Sequence, residues 1–339
     1  VPAGPPLLLA VDGNSLLHRA YHAAATGEHV DADGRPVWAV RGLIGHVARA
    51  AAQLRPDAVL IGFDCVDSSA RKADFPGYKA HRPPKPADLV EQLATAPEIL
   101  RAAALPVVVP PAYEADDVLA SATAAARAAG WRCTAVTSDR DAFALIDDTT
   151  SVLRIRNGGM DNATLVAAAS MPDVCGVEAW QYADLAALRG DPSDNLPGVR
   201  GFGTTTAVRL LAAFGSIDAA LAAVAAGRAE ELRAAVGDRA ADHFAAAATR
   251  ETLDRNRRLM RMRTDLPLPT LDSVRLPIDY GTMRRALVGR GIVLGPSLWA
   301  LTGRDPLPLD ELIPAVRHRP RARTAASRRA PVEGQLALF

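Results

Sequence analysis

Short apolar runs alternate with alanine-rich stretches through the first half of the chain. LLLAV (7–11), AVLIGF (58–63), PVVV (106–109), CTAV (133–136) and SVLRI (151–155) are largely apolar over strand length. Such runs predict strands buried on both faces, as in a parallel sheet covered by helices. Between them, residues 36–54, 88–104 and 114–129 have the length and alanine content of helices. This alternation predicts an α/β fold with a mostly parallel central sheet flanked by helices. Beyond about residue 176 the strand signal fades, and 178–189, 204–214, 216–226 and 228–250 predict helices. From about 304 the chain turns Pro- and Arg-rich without periodicity, and 315–334 reads as a flexible tail. The expected organisation is an α/β core over 1–176, a helical region over 177–303 and a tail over 304–339.

Composition narrows this only modestly. A length of 339 residues suits about two domains. With 49% apolar and 23% charged residues, a wholly disordered or collagen-like chain is excluded. No run approaches the roughly 18 apolar residues of a membrane span. Leu7–Val11 is short for a signal sequence and follows no basic residue. Three distant cysteines, Cys65, Cys133 and Cys175, form no disulfide framework and suit a reducing cytoplasm. The net charge of +1 hides an asymmetry, since residues 317–329 hold six arginines and no acid. A mildly acidic body thus carries a basic tail. Residues 65–87 also stand out: polar, basic and rich in Pro and Gly, they are too long for an ordinary βα loop, so they are either a functional excursion or disordered.

The acids follow the strands. Asp12 ends the first apolar run and Asp64 the second. Glu114, Asp116 and Asp117 open a helix just past the third, and Asp139 and Asp141 follow the fourth. In an open parallel sheet the carboxyl ends of the strands share one edge, where ligands bind. Asp191 and Asp194, in the loop GDPSDNLPG, are candidates to join them. A single acid here could simply cap a helix. Carboxylates crowded together cannot all ionise without a counter-charge, and hard divalent cations supply one. His18 and His22 have helical spacing but no third partner, so zinc is not indicated and they read as ordinary surface or groove residues. An acid-rich crevice suits two Mg²⁺ or Mn²⁺ ions and phosphoryl transfer by a two-metal route.

Five segments, in order, carry a resemblance: VDGNSLLHRAYHA, FDCVDSSARKADFPGYKAHRPPKP, AYEADDVLA, TSDRDAFAL and GDPSDNLPGVRGFGTTTA. They resemble the 5′-nuclease domain of bacterial DNA polymerase I and the wider flap-endonuclease family, from about residue 7 to 300. No polymerase segment follows them in the sequence, so the chain resembles a stand-alone member. The resemblance implies a PIN-like nuclease core, a helical duplex-binding region with a helix–three-turn–helix motif at about 190–214, and metal-assisted hydrolysis of DNA. It places Asp12, Asp64, Glu114 and Asp116 at a first metal site and Asp139, Asp141 and Asp191 at a second. Asp117 and Asp194 match further acids of the same crevice and are grouped with the metal residues.

The resemblance also gives the basic excursion a role as a helical arch through which a 5′ single strand passes. Lys79 and Arg71 become candidate catalytic cations that offset charge on the scissile phosphate. Tyr78 is expected to stack on an unpaired base, and Arg82 and Arg19 to contact DNA. GVRGFG (198–203) reads GxxGxG after an acidic loop, not the GxGxxG that follows a first strand, so a dinucleotide site is rejected. It resembles the turn of the duplex-binding motif. Gly198, Gly201 and Gly203 would let phosphate approach the backbone, and Arg200, Thr204 and Thr205 would contact it. K⁺ is the ion this resemblance suggests there. The sequence departs from the family in lacking a lysine before that helix, in Ala70 before Arg71, and in Leu16 and His18 where aromatics are usual.

The chain ends in QLALF, which resembles the peptide that binds the bacterial sliding clamp, through Gln335, Leu336, Leu338 and Phe339. The expected function is a structure-specific 5′ nuclease, with 5′→3′ exonuclease and flap endonuclease activity. Its expected partners are DNA with 5′ flaps, nicks or 5′ ends, RNA primers and the clamp, and it is expected to act as a cytoplasmic, nucleoid-associated monomer. A ribonuclease with a similar crevice and a catalytically silent DNA-binding adaptor are the competing readings.

Overall fold

The computed structural model describes residues 4–23, 29–293 and 295–304. The tail from 305, with its last five residues, lies outside the described residues.

Six strands form one sheet: β1 (Leu7–Asp12), β2 (Ala58–Gly62), β3 (Val107–Val108), β4 (Arg132–Thr137), β5 (Thr150–Arg156) and β6 (Gly159–Val166). Their spatial order is β3-β2-β1-β4-β5-β6, parallel throughout except for the antiparallel β5–β6 pair. β1 and β2 are wholly buried, as their unbroken apolar sequences require. Successive side chains of β1 serve opposite faces. Leu8 and Ala10 join one core and Leu9 and Val11 the other.

On the Leu9 face lie α1 (Gly13–Ala23), α2 (Trp38–Leu54) and, after the short α3 (Ala70–Asp74), α4 (Ala87–Ala102). On the Leu8 face lies α5 (Ala115–Ala128). That second core continues without a break into the helical half. Phe143 leads to Leu185 and Leu188 of α7 (Tyr182–Arg189), which follows the short α6 (Met171–Cys175). From there it reaches Leu210 and Leu211 of α8 (Thr204–Phe214).

Several expectations change in detail. PVVV yields a strand of only two half-buried residues, because Pro106 and Pro110 flank it and donate no backbone hydrogen bond. The predicted helix 228–250 is broken. After α9 (Ile217–Ala225) come α10 (Ala229–Val236), α11 (Asp238–Ala245) and α12 (Ala247–Met260), with Gly237 at φ +86° between α10 and α11. The β5–β6 hairpin was not foreseen, since its outer strand MDNATLV is polar and lies at the sheet edge. Residues 276–301 return to the α/β half, where Met283 and Leu287 of α13 (Tyr280–Val288) join the core of α2 and α4. Segment 65–87 has one short helix, α3, capped by Ser69, and turns that fold against the acids.

Among the described residues, no single helix is long and apolar enough to cross a membrane. The bent α8–α9 pair is apolar because Leu210, Leu211, Ile217 and Ala220 are core residues.

Candidate active site

The strand order reverses direction between β1 and β4, and a crevice opens outside their carboxyl ends there. Its volume is about 850 Å³. Asp12, Asp64, Asp116, Asp139 and Asp141 line it, with Glu114 and Asp194. Sheet topology therefore gathers Asp12 and Asp141, 129 residues apart in sequence.

Each acid is held from its own strand end. The Asp12 carboxylate accepts from the Ser15 backbone N–H at 2.8 Å and from the Thr137 hydroxyl at 2.7 Å. It caps α1 while facing the crevice, so capping and site roles coincide. Thr137 also accepts from the Asp139 N–H at 3.0 Å, which ties the β1 acid to the β4 acid. The Ser15 and Ser138 hydroxyls bond one another across the same gap. Asp64 accepts from the Ala115 N–H at 2.8 Å, joining the end of β2 to the start of α5.

These acids are poor anions where they stand. Burial pushes Asp12 up to about 7, and neighbouring Asp64 and Asp139 push the same way. Burial, then Asp12 and Asp139, raise Asp116 well above the ordinary carboxylate range. Burial, then Asp139, Asp191 and Asp194, bring Asp141 to about 7. Burial raises Asp64 as well. Such a set of oxygen donors, with charge left uncompensated, fits hard divalent cations. Among the described residues no three His, Cys, Asp or Glu side chains form a ready-made cage for an ion. The acids line an open wall that a cation would have to draw together.

The remaining acids have other partners. Lys79 Nζ lies 3.0 and 3.1 Å from the two Glu114 oxygens, and the Tyr78 hydroxyl donates to Glu114 at 3.0 Å. Burial opposes the charge on Lys79, but Glu114 and Asp194 outweigh it and its pKa is raised. Lys79 has φ +55°, a strained conformation for a lysine, and its N–H donates to the Asp194 carbonyl at 3.0 Å. Asp194 is held by Arg82. Asp191 lies in a tight turn, accepting from the Ser193 N–H and hydroxyl, and is not part of the crevice lining.

Three expected roles are corrected. Asp117 is fully buried and faces away from the crevice. It holds Arg71 through two bonds of 2.7 and 2.8 Å and accepts from the Glu114 and Arg263 N–H groups. These contacts occupy both of its oxygens, so it is a structural clamp and not a metal ligand. Arg71 in turn spends its guanidinium on Asp117, Glu114 and the carbonyls of Leu259 and Arg261, which removes it from the crevice as a catalytic cation. Tyr78 is buried at 3% exposure, packed with Leu196 and Leu259, so its ring has no face free for stacking on a base.

The glycine loop also divides. A Cβ on Gly198 would sit 2.2 Å from the Arg189 carbonyl, and one on Gly190 would sit 2.2 Å from the Gly198 nitrogen. Gly198 therefore serves backbone packing, not phosphate approach. It helps hold the hairpin of β7 (Gly190–Asp191) and β8 (Leu196–Pro197) that carries Asp191 and Asp194. Gly201, Gly203, Arg200, Thr204 and Thr205 are exposed beside the start of α8, with Val199 and Phe202 buried beneath as anchors. Arg19 lines the crevice, bonded to Asn157 at 3.1 Å.

The cationic rim was only partly foreseen. Lys85, Arg49 and His46 line the crevice with His18 and His22. Burial, with cationic neighbours, lowers both His18 and His46 to about 4, so neither carries charge near neutrality. The i,i+3 pair His46 and Arg49 is a helix-face signal in the sequence that could have been read.

Two profiles of one family match consecutive stretches: 5′-3′ exonuclease, N-terminal resolvase-like domain, over residues 7–171, and 5′-3′ exonuclease, C-terminal SAM fold, over 177–279. The chain belongs to the 5′-3′ exonuclease family. DNA polymerase I of Mycobacterium leprae is 35% identical over 282 residues, covering 83% of this chain and 30% of that protein. Thermostable DNA polymerase I of Thermus aquaticus is 35% identical over 261 residues, covering 77% and 29%. The chain thus spans about 30% of the length of these relatives. Among solved structures, the phage T5 D15 protein co-crystallised with metal ions superposes with a TM-score of 0.59 at 19% identity, covering 88% of this chain and 97% of that one. The catalytic core of Rad2 in complex with DNA gives 0.54 at 15%, covering 91% and 93%. These two likenesses establish the exonuclease-family fold: a mostly parallel PIN-like sheet with a helical region.

Proposed function

We propose that this member of the family is a structure-specific 5′ nuclease that hydrolyses DNA phosphodiesters at flaps, nicks and 5′ ends, and RNA primers in the same position. The observation that carries the reading is the wall of Asp12, Asp116, Asp139 and Asp141, with no Lys or Arg ion pair to any of them among the described residues, at the point where the strand order reverses. A module that only bound DNA would gain nothing from so much negative charge beside phosphate.

Asp12, Asp64, Asp116, Asp139 and Asp141 would hold two Mg²⁺ or Mn²⁺ ions, with Glu114 and Asp191 at the margins. When bound, such ions lower the pKa of a water and neutralise charge on the phosphate. The rest falls to the protein. Lys79 keeps its proton beside Glu114 and presents a cation at the edge of the acid wall. Arg82, Lys85, Arg19 and Arg49 form a positive rim that draws in the backbone. The exposed amides at the start of α8 offer a phosphate site on the helical half. K⁺ at that loop, a monomeric state and action at the nucleoid complete the reading.

The test is cleavage of a 5′-labelled flap with Mg²⁺, Mn²⁺ or EDTA. Release of the flap with either metal, and none in EDTA, is the expected result; no cleavage under any condition overturns it. Replacing K⁺ with choline should weaken duplex binding if K⁺ occupies the loop. The clamp proposal rests on the sequence of residues 335–339. Their deletion should leave flap cleavage unchanged and remove binding to purified clamp by calorimetry. Equal affinity of intact and truncated chains would dismiss it.

A further inference from the structure

We propose that a second groove, between the end of β4 and the β5–β6 hairpin, binds the phosphodiester backbone of a DNA strand that continues out of the crevice. The proposal rests on the nuclease reading and adds a binding surface to it. The groove has a volume of about 640 Å³ and is lined by Arg19, Ser138, Arg154, Arg156, Asn157 and Asn162, among others. It shares Arg19, Ser138 and Asn157 with the crevice, so the two are continuous.

Its chemistry is that of an anion site. Three arginines line it and no carboxylate does. Arg154 and Arg156 alternate along β5 with the buried Leu153 and Ile155, so they leave the sheet on its other face together. Arg140 stands close enough that it and Arg156 oppose the charge on Arg154, adding to the effect of burial. The Nε of Arg19, which lines the groove, is buried without a hydrogen-bond partner. Folding thus gathers like charges and leaves a donor unused, an arrangement that costs free energy unless an anion joins it. The lining contains no aromatic ring, so the groove suits a backbone and not stacked bases.

The test uses the full chain in EDTA and measures binding by fluorescence anisotropy between 50 and 200 mM KCl. Ligands are a single strand, a blunt duplex and a 5′ flap. Arg154→Gln with Arg156→Gln is compared with wild type and with Arg101→Gln plus Arg132→Gln. The control pair removes the same charge at the opposite edge of the sheet, where α4 ends and β4 begins. Loss of two phosphate contacts should lower the slope of log K against log salt by about 1.4–1.8 and weaken binding roughly tenfold. The control should match wild type. A loss confined to the single strand assigns the groove to the flap, and a loss confined to the duplex assigns it to a duplex strand; either supports the proposal. Unchanged affinity and slope on all three ligands, or an equal loss in the control, overturns it. If wild type still cleaves the flap in Mg²⁺, the nuclease reading survives that outcome. No binding and no cleavage by wild type would overturn both.

Discussion

Glu114 and Asp117 each hold a cation, whereas Asp116, between them in sequence, holds none. Asp117 is closed by Arg71, and Glu114 is shared by Lys79, Arg71 and Tyr78. Asp116 faces Asp12 and Asp139 across the crevice, and its pKa is driven up by burial and by them. Consecutive residues on a helix point about 100° apart, so two neighbouring acids cannot serve the same wall. One turn of α5 is thereby divided. One side anchors segment 65–87 and the end of α12, and the other leaves charge for ions to neutralise.

The comparison breaks first at the clamp. Asp117→Ala would strand Arg71 without its main partner, and removing one member of a buried pair costs about 3–5 kcal/mol. Urea unfolding should show a loss of that size, and EDTA should not alter it. If Asp117 were a metal ligand instead, the variant would be nearly as stable as wild type without metal and would fail only in its response to Mg²⁺.

Asp139→Asn probes the other side. Asp139 is exposed and its backbone contacts survive the change, so unfolding in EDTA should match wild type. Cleavage of a saturating flap substrate should fall by about 10²–10³-fold, the size expected for losing one preorganised electrostatic group, or about 2.7–4 kcal/mol. DNA binding should hold or tighten, because one negative charge beside phosphate is gone. Near-normal cleavage would mean that the ions sit elsewhere.

The acids at the strand ends were legible because topology alone brings the carboxyl ends of parallel strands together, and Asp12, Asp64 and Asp139 sit there by position. The division between Asp116 and Asp117 was readable in principle from helical spacing, but the partner that decides it, Arg71, lies 46 residues away. Family resemblance assigned Arg71 to catalysis and Tyr78 to DNA, yet both are packed beneath the acids, and only tertiary contacts with Leu259 and Leu196 reveal this. The β5–β6 hairpin escaped notice since an edge strand need not be apolar, although Asn157-Gly158-Gly159 is a turn signal. Its arginines form the second groove.

Acidity offers a subtler contrast. Asp12 and Asp141 bind their protons more tightly when folded, at about 7 against an ordinary 3.8. An acid with a raised folded pKa stabilises the native state least once it is ionised. Metal-free protein should therefore lose stability as pH rises from about 4 to about 7 and level off above. Mg²⁺ at one hundred times its Kd should restore roughly 2.7 kcal/mol at pH 8 and very little at pH 4.5, where protons already occupy the site. Thermal melts with EDTA or Mg²⁺ across that range decide it. A flat profile in EDTA would show that the acid wall carries no trapped charge.

The smallest change separates structure from substrate contact at Tyr78. Its hydroxyl donates to Glu114, which also receives Lys79 and Arg71, so Tyr78→Phe removes one of several bonds to a carboxylate that stays compensated. The expected cost is about 1 kcal/mol of stability, near the mean for one buried hydrogen bond. Flap affinity should not move, because the ring is enclosed by Leu196 and Leu259 and meets no base. Lys79 lies over that ring at 4.7 Å, and a phenylalanine keeps this contact, so the position of the lysine should persist and turnover should fall only slightly. Urea unfolding and single-strand titration of the same preparation give both numbers. Unchanged stability with weaker single-strand binding would place Tyr78 on the DNA after all and would require segment 65–87 to lift away from Glu114 when substrate arrives.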